Sequence, residues 1–426
     1  MKKIYSLLVL ATLFLTSCGE EFLDPTRPSQ EDVFSTRDGL VGVANGLQAR
    51  YSVGRQSPYG YAIITANGFT TRELGIPQAG NADEVALYQG DVLPNNGIVN
   101  NIWSQSLINY AEAQKVIDNI GVVGNSNERA SILAHASIFK AMSLGFLIQF
   151  FESVPLKTEK NAVFSNRTEV LASAIKTLKD VEPVLPNANG FVGLVGNINY
   201  RNTINALLAR YYLMAGDQTN AFAYATLVTQ SVRSNFVFDA VNQNAIAATA
   251  FLVANNYQPA GRSFGLPTAL QPVATDGRIN FYINPISTPT AVRGAGFWDV
   301  VSKPVPVYIP SEMILIRAEV FARQSNIPSA VTELNRILQK TAAADAWGIG
   351  ANLPAYSGAL DQASVLTEIY RNRCIELYMS GLKLEDTKRF GRPGVNVAGS
   401  ERNRNFYPYP ESERFNNINT PADPAN

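Results

Sequence analysis

Apolar residues recur at helical spacing in block after block of this chain, and two long stretches between the blocks lose that period. Segments 31–51, 100–120, 127–151, 167–184, 200–215, 218–232, 310–324, 328–342 and 362–380 each predict a helix. Strand signals are confined to short pieces such as 279–283 and 305–309. A chain patterned in this way can bury its apolar stripes only by packing helix on helix, so the predicted class is mainly α.

Two blocks repeat one pattern. LLARYYLMAGDQTNAFAYA begins at Leu207 and IRAEVFARQSNIPSAVTEL at Ile316. In each, an alanine (Ala209, Ala318) is answered across a short turn by another (Ala221, Ala330). Small residues at those points let two antiparallel helices approach closely, which predicts tetratricopeptide-like hairpins. Generic helix packing would leave the same trace, and the two copies are not tandem. The stretches 54–99 and 255–308 are rich in Gly, Pro, Asn and aromatics. Irregular segments of that length are uncommon in a compact domain unless they cover a surface or bind something, so they are the expected seat of a ligand.

Composition excludes several function classes. The 35 Lys and Arg residues balance 35 Asp and Glu, so the concentrated positive field of a nucleic-acid binder is missing. His135 is the only histidine, which largely removes His-based triads and multi-His metal sites. It lies in an apolar helical run and is expected to pack. There is no phosphate-binding loop, dinucleotide fingerprint or zinc cysteine pair. A two-carboxylate glycosidase stays open, because its acids need not be close in sequence. Neither a cofactor nor a metal ligand set is expected.

The first residues give an address. Met1-Lys2-Lys3 precedes an apolar run from Ile4 to Leu15, too short to span a bilayer comfortably, and this predicts a secretory leader. Leu15-Thr16-Ser17-Cys18 closes the run and resembles the lipobox of bacterial lipoproteins. That resemblance implies that the Cys18 sulfur takes diacylglycerol and that cleavage makes Cys18 the N-terminus. Two or more acyl chains hold a domain durably on a membrane. Gly19-Glu20-Glu21 resembles the surface-export signal of Bacteroidetes lipoproteins, though a solvated linker reads the same way. With Cys18 lipidated, Cys374 has no partner for an intramolecular disulfide. The expected division is a signal peptide over 1–17, lipidated cysteine and linker over 18–30, and one α-helical domain over 31–426. No later apolar run is expected to cross a membrane.

Near the C-terminus the chain reads IYRNRCIELYMSGLKLEDTKRFG, residues 369 to 391. This resembles the signature of the SusD/RagB family of outer-membrane lipoproteins, I-x-x-E-R-x-x-E-L-x-x-E-G-x-R-x-x-D-L-x-R-x-G. Ile369, Arg373, Glu376, Leu377, Gly381, Asp386, Arg389 and Gly391 match it. Asn372 and Ser380 stand in place of glutamate, Lys383 in place of arginine and Thr387 in place of leucine. CGEEFLD, KAMSLGFLIQFFESVPL, NTINALLARYYLMAG, IRAEVF and FYPYPESERFNN resemble further family landmarks, in the family's order. Read from the residues alone, Arg373, Glu376, Lys383 and Asp386 can pair at helical spacing or cap helix ends, and Gly381 breaks the helix. The signature is therefore expected to stabilise the fold, with ion pairs altered locally where it departs from the pattern.

The resemblance implies a SusD-like α-superhelical fold and a non-catalytic role. Such a protein captures nutrients at the cell exterior, most often glycans and in some members peptides, for a SusC-like TonB-dependent transporter. Sugar rings present an apolar face to aromatic side chains while amides and carboxylates bond their hydroxyls. On those grounds Trp298 is the first candidate contact, followed by Tyr88 near Asn95 and Asn96, and Tyr282 near Arg278 and Asp276. Trp103 is assigned to the core, and Trp347 is an uncommitted loop residue. A helical-repeat adaptor that binds only proteins is the competing class.

Overall fold

The computed structural model describes residues 29–53, 58–77, 80–188, 190–191, 193–249, 257–288 and 291–425. The leader, Cys18 and the linker up to residue 28 lie outside the described residues.

Helices dominate. The expected first helix is two: α1 (Gln30–Phe34), closed by a capping box of Ser29 and Asp32, and α2 (Arg37–Ser52). The break falls where the Thr36 hydroxyl accepts the Gly39 N–H and restarts the chain as a helix. Helices α3 (Tyr59–Thr70) and α4 (Ala82–Gln89) follow inside the stretch expected to be irregular. Tyr59, Ile63, Ala66 and Phe69 are fully buried, and nearly every other residue of α3 is buried with them. A helix covered on all sides carries no amphipathic period, so its pattern was invisible.

Helices α5 (Gly97–Asp118) and α6 (Ser126–Phe150) pack as an antiparallel pair, with α7 (Arg167–Lys179) against α6. Helix α6 is long and apolar enough to cross a membrane, contrary to expectation, but it is almost wholly buried as the central helix of the bundle. Asn125 caps it, accepting the Asn127 and Glu128 N–H groups at 2.9 and 3.2 Å. His135 sits fully buried on it, 3.0 Å from the Ala44 carbonyl through Nε2.

The repeated blocks form two hairpins, α8 (Tyr200–Met214) with α9 (Gln218–Leu227) and α11 (Ser311–Arg323) with α12 (Ile327–Leu338). Both turn through a left-handed residue, Gly216 or Ser325, and both restart on a side-chain cap, Asp217 or Asn326. Ala209, Ala221, Ala318 and Ala330 are all fully buried at the close approaches. Though distant in sequence, the hairpins stack: Phe222 meets Phe321 edge-on at 4.9 Å. Arg210 clamps Glu312 with bonds of 2.8 and 2.6 Å. Helix α13 (Gln362–Glu376) closes the second hairpin over Leu315, Leu334 and Ile369. Each such aliphatic side chain contributes about 1.5–3 kcal/mol on burial.

The strands are two or three residues long. Antiparallel pairs join β1 (Leu74–Gly75) to β5 (Gln258–Pro259), β2 (Ser153–Pro155) to β3 (Phe164–Asn166), and β4 (Asn235–Phe236) to β6 (Val305–Pro306). The strand expected over 279–283 is a helix, α10 (Gly277–Tyr282), started by the Asp276 side chain on the Arg278 N–H. A short apolar run does not by itself separate the two periods, and the cap decided it.

Candidate functional site

The signature segment positions the site. Helix α13 ends at Glu376, short of the expected 380, because Met379 and Gly381 adopt left-handed backbone (φ 55° and 78°). Gly381 has to be a glycine: a Cβ there would lie 2.8 Å from Ile63 Cγ2, and the Asn67 amide bonds its carbonyl at 2.9 Å. The chain then re-enters a helix, α14 (Lys383–Arg389). Arg373 grips Asp386 bidentately at 2.9 and 3.0 Å, and Arg389 joins Asp386 to Glu319. Glu376 pairs instead with Arg278 and Lys340. Among the described residues Lys383 is in no ion pair. It donates to the Phe264 carbonyl at 3.0 Å. Asn372 accepts from Arg278 at 2.9 Å.

These anchors hold three loops side by side. Tyr378 donates its hydroxyl to the Glu73 carbonyl at 2.7 Å, and the Glu73 carboxylate accepts the Met379 N–H at 3.2 Å. The same Glu73 carbonyl takes the Ala260 N–H at 2.8 Å, where β1 meets β5. Gly265, at φ 66°, admits the close passage of residue 72, since a Cβ there would fall 1.9 Å from the Arg72 carbonyl oxygen. From the C-terminal side, the Asn403 N–H bonds Thr70 O, and its side chain bonds Leu87 O and Tyr88 O at 2.8 and 2.9 Å.

The result is a surface groove of about 460 Å³ lined by Arg72, Leu74, Tyr88, Ala260, Ser400 and Glu401, among others. Tyr88, on the last turn of α4, is 44 % exposed and meets buried Phe69 in a T-shaped pair at 6.3 Å. Arg72 is exposed and anchored to Ser400, by Nε to the carbonyl at 3.2 Å and by Nη2 to the hydroxyl at 3.4 Å. Beneath the wall, burial raises the Glu73 carboxyl to about 7, against the pull of Lys383 and the Met379 N–H. Burial likewise raises Glu84, on the helix that carries Tyr88, to about 7. An apolar ring face beside forked donors is suited to a hydroxylated ring, and the volume lies within the ~300–1,000 Å³ of small-ligand sites. Other clefts of about 640, 430 and 330 Å³ do not join both long loops to an exposed aromatic ring.

Most sequence candidates lie elsewhere. Trp298 is only 4 % exposed and lies in the wall of a narrow, partly open cleft beside Tyr51, Phe236 and the Arg210–Glu312 pair. With its ring packed against Phe297 at 6.2 Å and almost no exposed surface, Trp298 is corrected from an exposed platform to a buried residue. Tyr282 is fully buried and donates to the Glu376 carbonyl at 2.7 Å. Asp276 and Arg278 are buried against each other, with bonds of 2.9 and 2.7 Å, and serve the core. Asn96 is the buried cap of α5, accepting the Ile98 and Val99 N–H groups at 3.1 and 3.2 Å. Asn95 is exposed but outside the groove lining. Trp103 is in the core as expected, its Nε1 donating to Glu413 at 3.0 Å, and Arg233 covers the Trp347 ring at 4.9 Å. Of the candidates only Tyr88 faces the groove. Arg72 and Ser400 were missed because no local pattern marks them.

Similar solved structures place this architecture. A SusD superfamily protein from Bacteroides thetaiotaomicron superposes at a TM-score of 0.73 and 17 % identity, covering 92 % of this chain and 100 % of that one. The chain has the SusD fold. A SusD-like carbohydrate binding protein from Bacteroides vulgatus gives 0.71 at 16 % identity over 90 % and 97 % of the two chains. One from Bacteroides fragilis gives 0.67 at 12 % identity over 91 % and 100 %. No protein-family model and no curated relative matches the chain. At these identities the likeness speaks for the fold, and the groove's chemistry has to be argued from its own residues.

Proposed function

We propose that this SusD-fold protein is a non-catalytic, lipid-anchored capture protein at the outer face of an outer membrane. It binds glycan segments in the Tyr88 groove and passes them to a SusC-like TonB-dependent transporter. The observation that carries the reading is the groove itself: both long loops and the C-terminal loop converge on one exposed aromatic ring with an arginine beside it. A broad, open site of this kind suits capture and release, whereas catalysis would need acids poised around a bond. Its one lining carboxylate, Glu401, is buried and already engaged by Arg392 and Tyr370. That two similar structures are carbohydrate binding proteins supports a saccharide cargo, and the lipobox resemblance at Cys18 supports the anchor.

Titration of the mature chain with neutral and acidic oligosaccharides, and with oligopeptides, tests the cargo. Saturable saccharide binding is expected, and binding to peptides alone overturns the reading. For the anchor, the full precursor expressed in a bacterium is expected to partition into detergent. Cys18→Ala should move it to the aqueous phase, and unchanged partitioning would contradict lipidation.

A further inference from the structure

We infer that the Tyr88 groove selects acidic sugars, binding a carboxylate or sulfate ester on the ring through Arg72; this rests on the capture reading above. Three observations point the same way. First, Arg72 is held at φ 64°, a conformation that side chains other than glycine rarely adopt. Such strain persists only where the surroundings over-determine it, and it gathers at ligand clamps. Here the surroundings are the Gly265 backbone on one side and Ser400 on the other. Second, the guanidinium is oriented but half used. Ser400 takes one hydrogen from Nε and one from Nη2, which leaves the Nη1 pair and a second Nη2 hydrogen for a planar or tetrahedral anion.

Third, among the described residues no groove carboxylate is free to neutralise it. Among the described residues no ion pair includes Arg72. Glu401 gives one oxygen to Arg392 and the other to the Tyr370 hydroxyl. A neutral glycan would leave this cation as it is in water. An acidic ring stacked on Tyr88 would gain a charge-assisted, forked bond in a partly desolvated site. The chain's overall charge is balanced, so the selectivity is local to this arginine.

The test uses the whole mature chain carrying Cys18→Ala, so that it is purified without lipid. It is titrated calorimetrically with tetragalacturonate, its full methyl ester, a sulfated galactan tetrasaccharide, maltotetraose and tetraglutamate. Tetragalacturonate or the sulfated galactan is expected to bind at least about tenfold more tightly than the ester and maltotetraose, and which of the two does so identifies the anion. Arg72→Gln should erase that margin by weakening the acidic ligand at least about tenfold more than maltotetraose, and Arg72→Lys should restore part of it. Equal binding of acid, ester and neutral sugar overturns the inference and leaves the capture reading intact. Binding of tetraglutamate with no saccharide, or no saccharide binding by a protein whose circular dichroism is unchanged, overturns both.

Discussion

Arg278 and Arg72 show two uses of one side chain. Arg278 is 1 % exposed and its fork is filled by Asp276, Glu376 and Asn372 at 2.7 to 3.2 Å. It ties α10 to α13 and gives nothing to solvent. Arg72 stands in the open, held by one serine, with donors to spare. The first pattern belongs to a core that has to satisfy its own charges, the second to a surface that keeps some capacity for a partner. A charged residue in a long loop can therefore be read only once its partners are counted.

The sharpest way to break that contrast is to remove the buried cation. Arg278→Ala leaves Asp276 without its cation and Glu376 with Lys340 alone, and the expected loss is about 3–5 kcal/mol of stability by urea unfolding. A loss below about 1 kcal/mol would mean that the network is not needed for the fold.

Next in size come two buried titrating groups with opposite signs. Burial holds the His135 imidazole down at about 4, against an ordinary value of 6.5. The unfolded chain binds that proton first, so the stability from keeping His135 neutral is full above 6.5 and is lost as pH falls toward 4. Glu73 is raised from 4.5 to about 7, so its contribution is full below 4.5 and is lost as pH rises through 7. Each limb is worth up to about 3 kcal/mol. Urea midpoints measured from pH 4 to pH 8 should fall at both ends. Glu84 titrates over the same window, so Glu73→Gln should shrink the alkaline limb by about half and leave the acid limb as it is, and an unchanged alkaline limb would place the ionisation elsewhere.

The smallest expected effect is at the groove. Arg72→Gly relieves the left-handed strain but adds unfolded-chain entropy, so stability should stay within about 1 kcal/mol of the parent. A change as large as that for Arg278→Ala would show that Arg72 is structural after all.

Much of this architecture was legible in the chain. The hairpins announced themselves through Ala209, Ala221, Ala318 and Ala330, because small residues at a close approach keep a local spacing. The all-round buried α3 did not, since it has no polar face to set a period. The site was legible in one residue. Tyr88 sits in a loop-like stretch and does face the groove, whereas Trp298, Tyr282, Arg278 and Asp276 sit in a similar stretch that folds inward. Burial of those side chains depends on Glu376 and on the hairpins, which are remote in sequence. Arg72 was hidden for the same reason, because Gly265 and Ser400 define it and neither is near it in the chain.

The most direct measurement compares Tyr88→Ala with Trp298→Phe for binding of the tightest oligosaccharide, both proteins being checked for fold by circular dichroism. If the groove is the capture site, Tyr88→Ala weakens binding at least about tenfold and Trp298→Phe leaves it within about twofold. Loss of binding in Trp298→Phe, with Tyr88→Ala unchanged, would move the site to the cleft beside Trp298 and contradict the account.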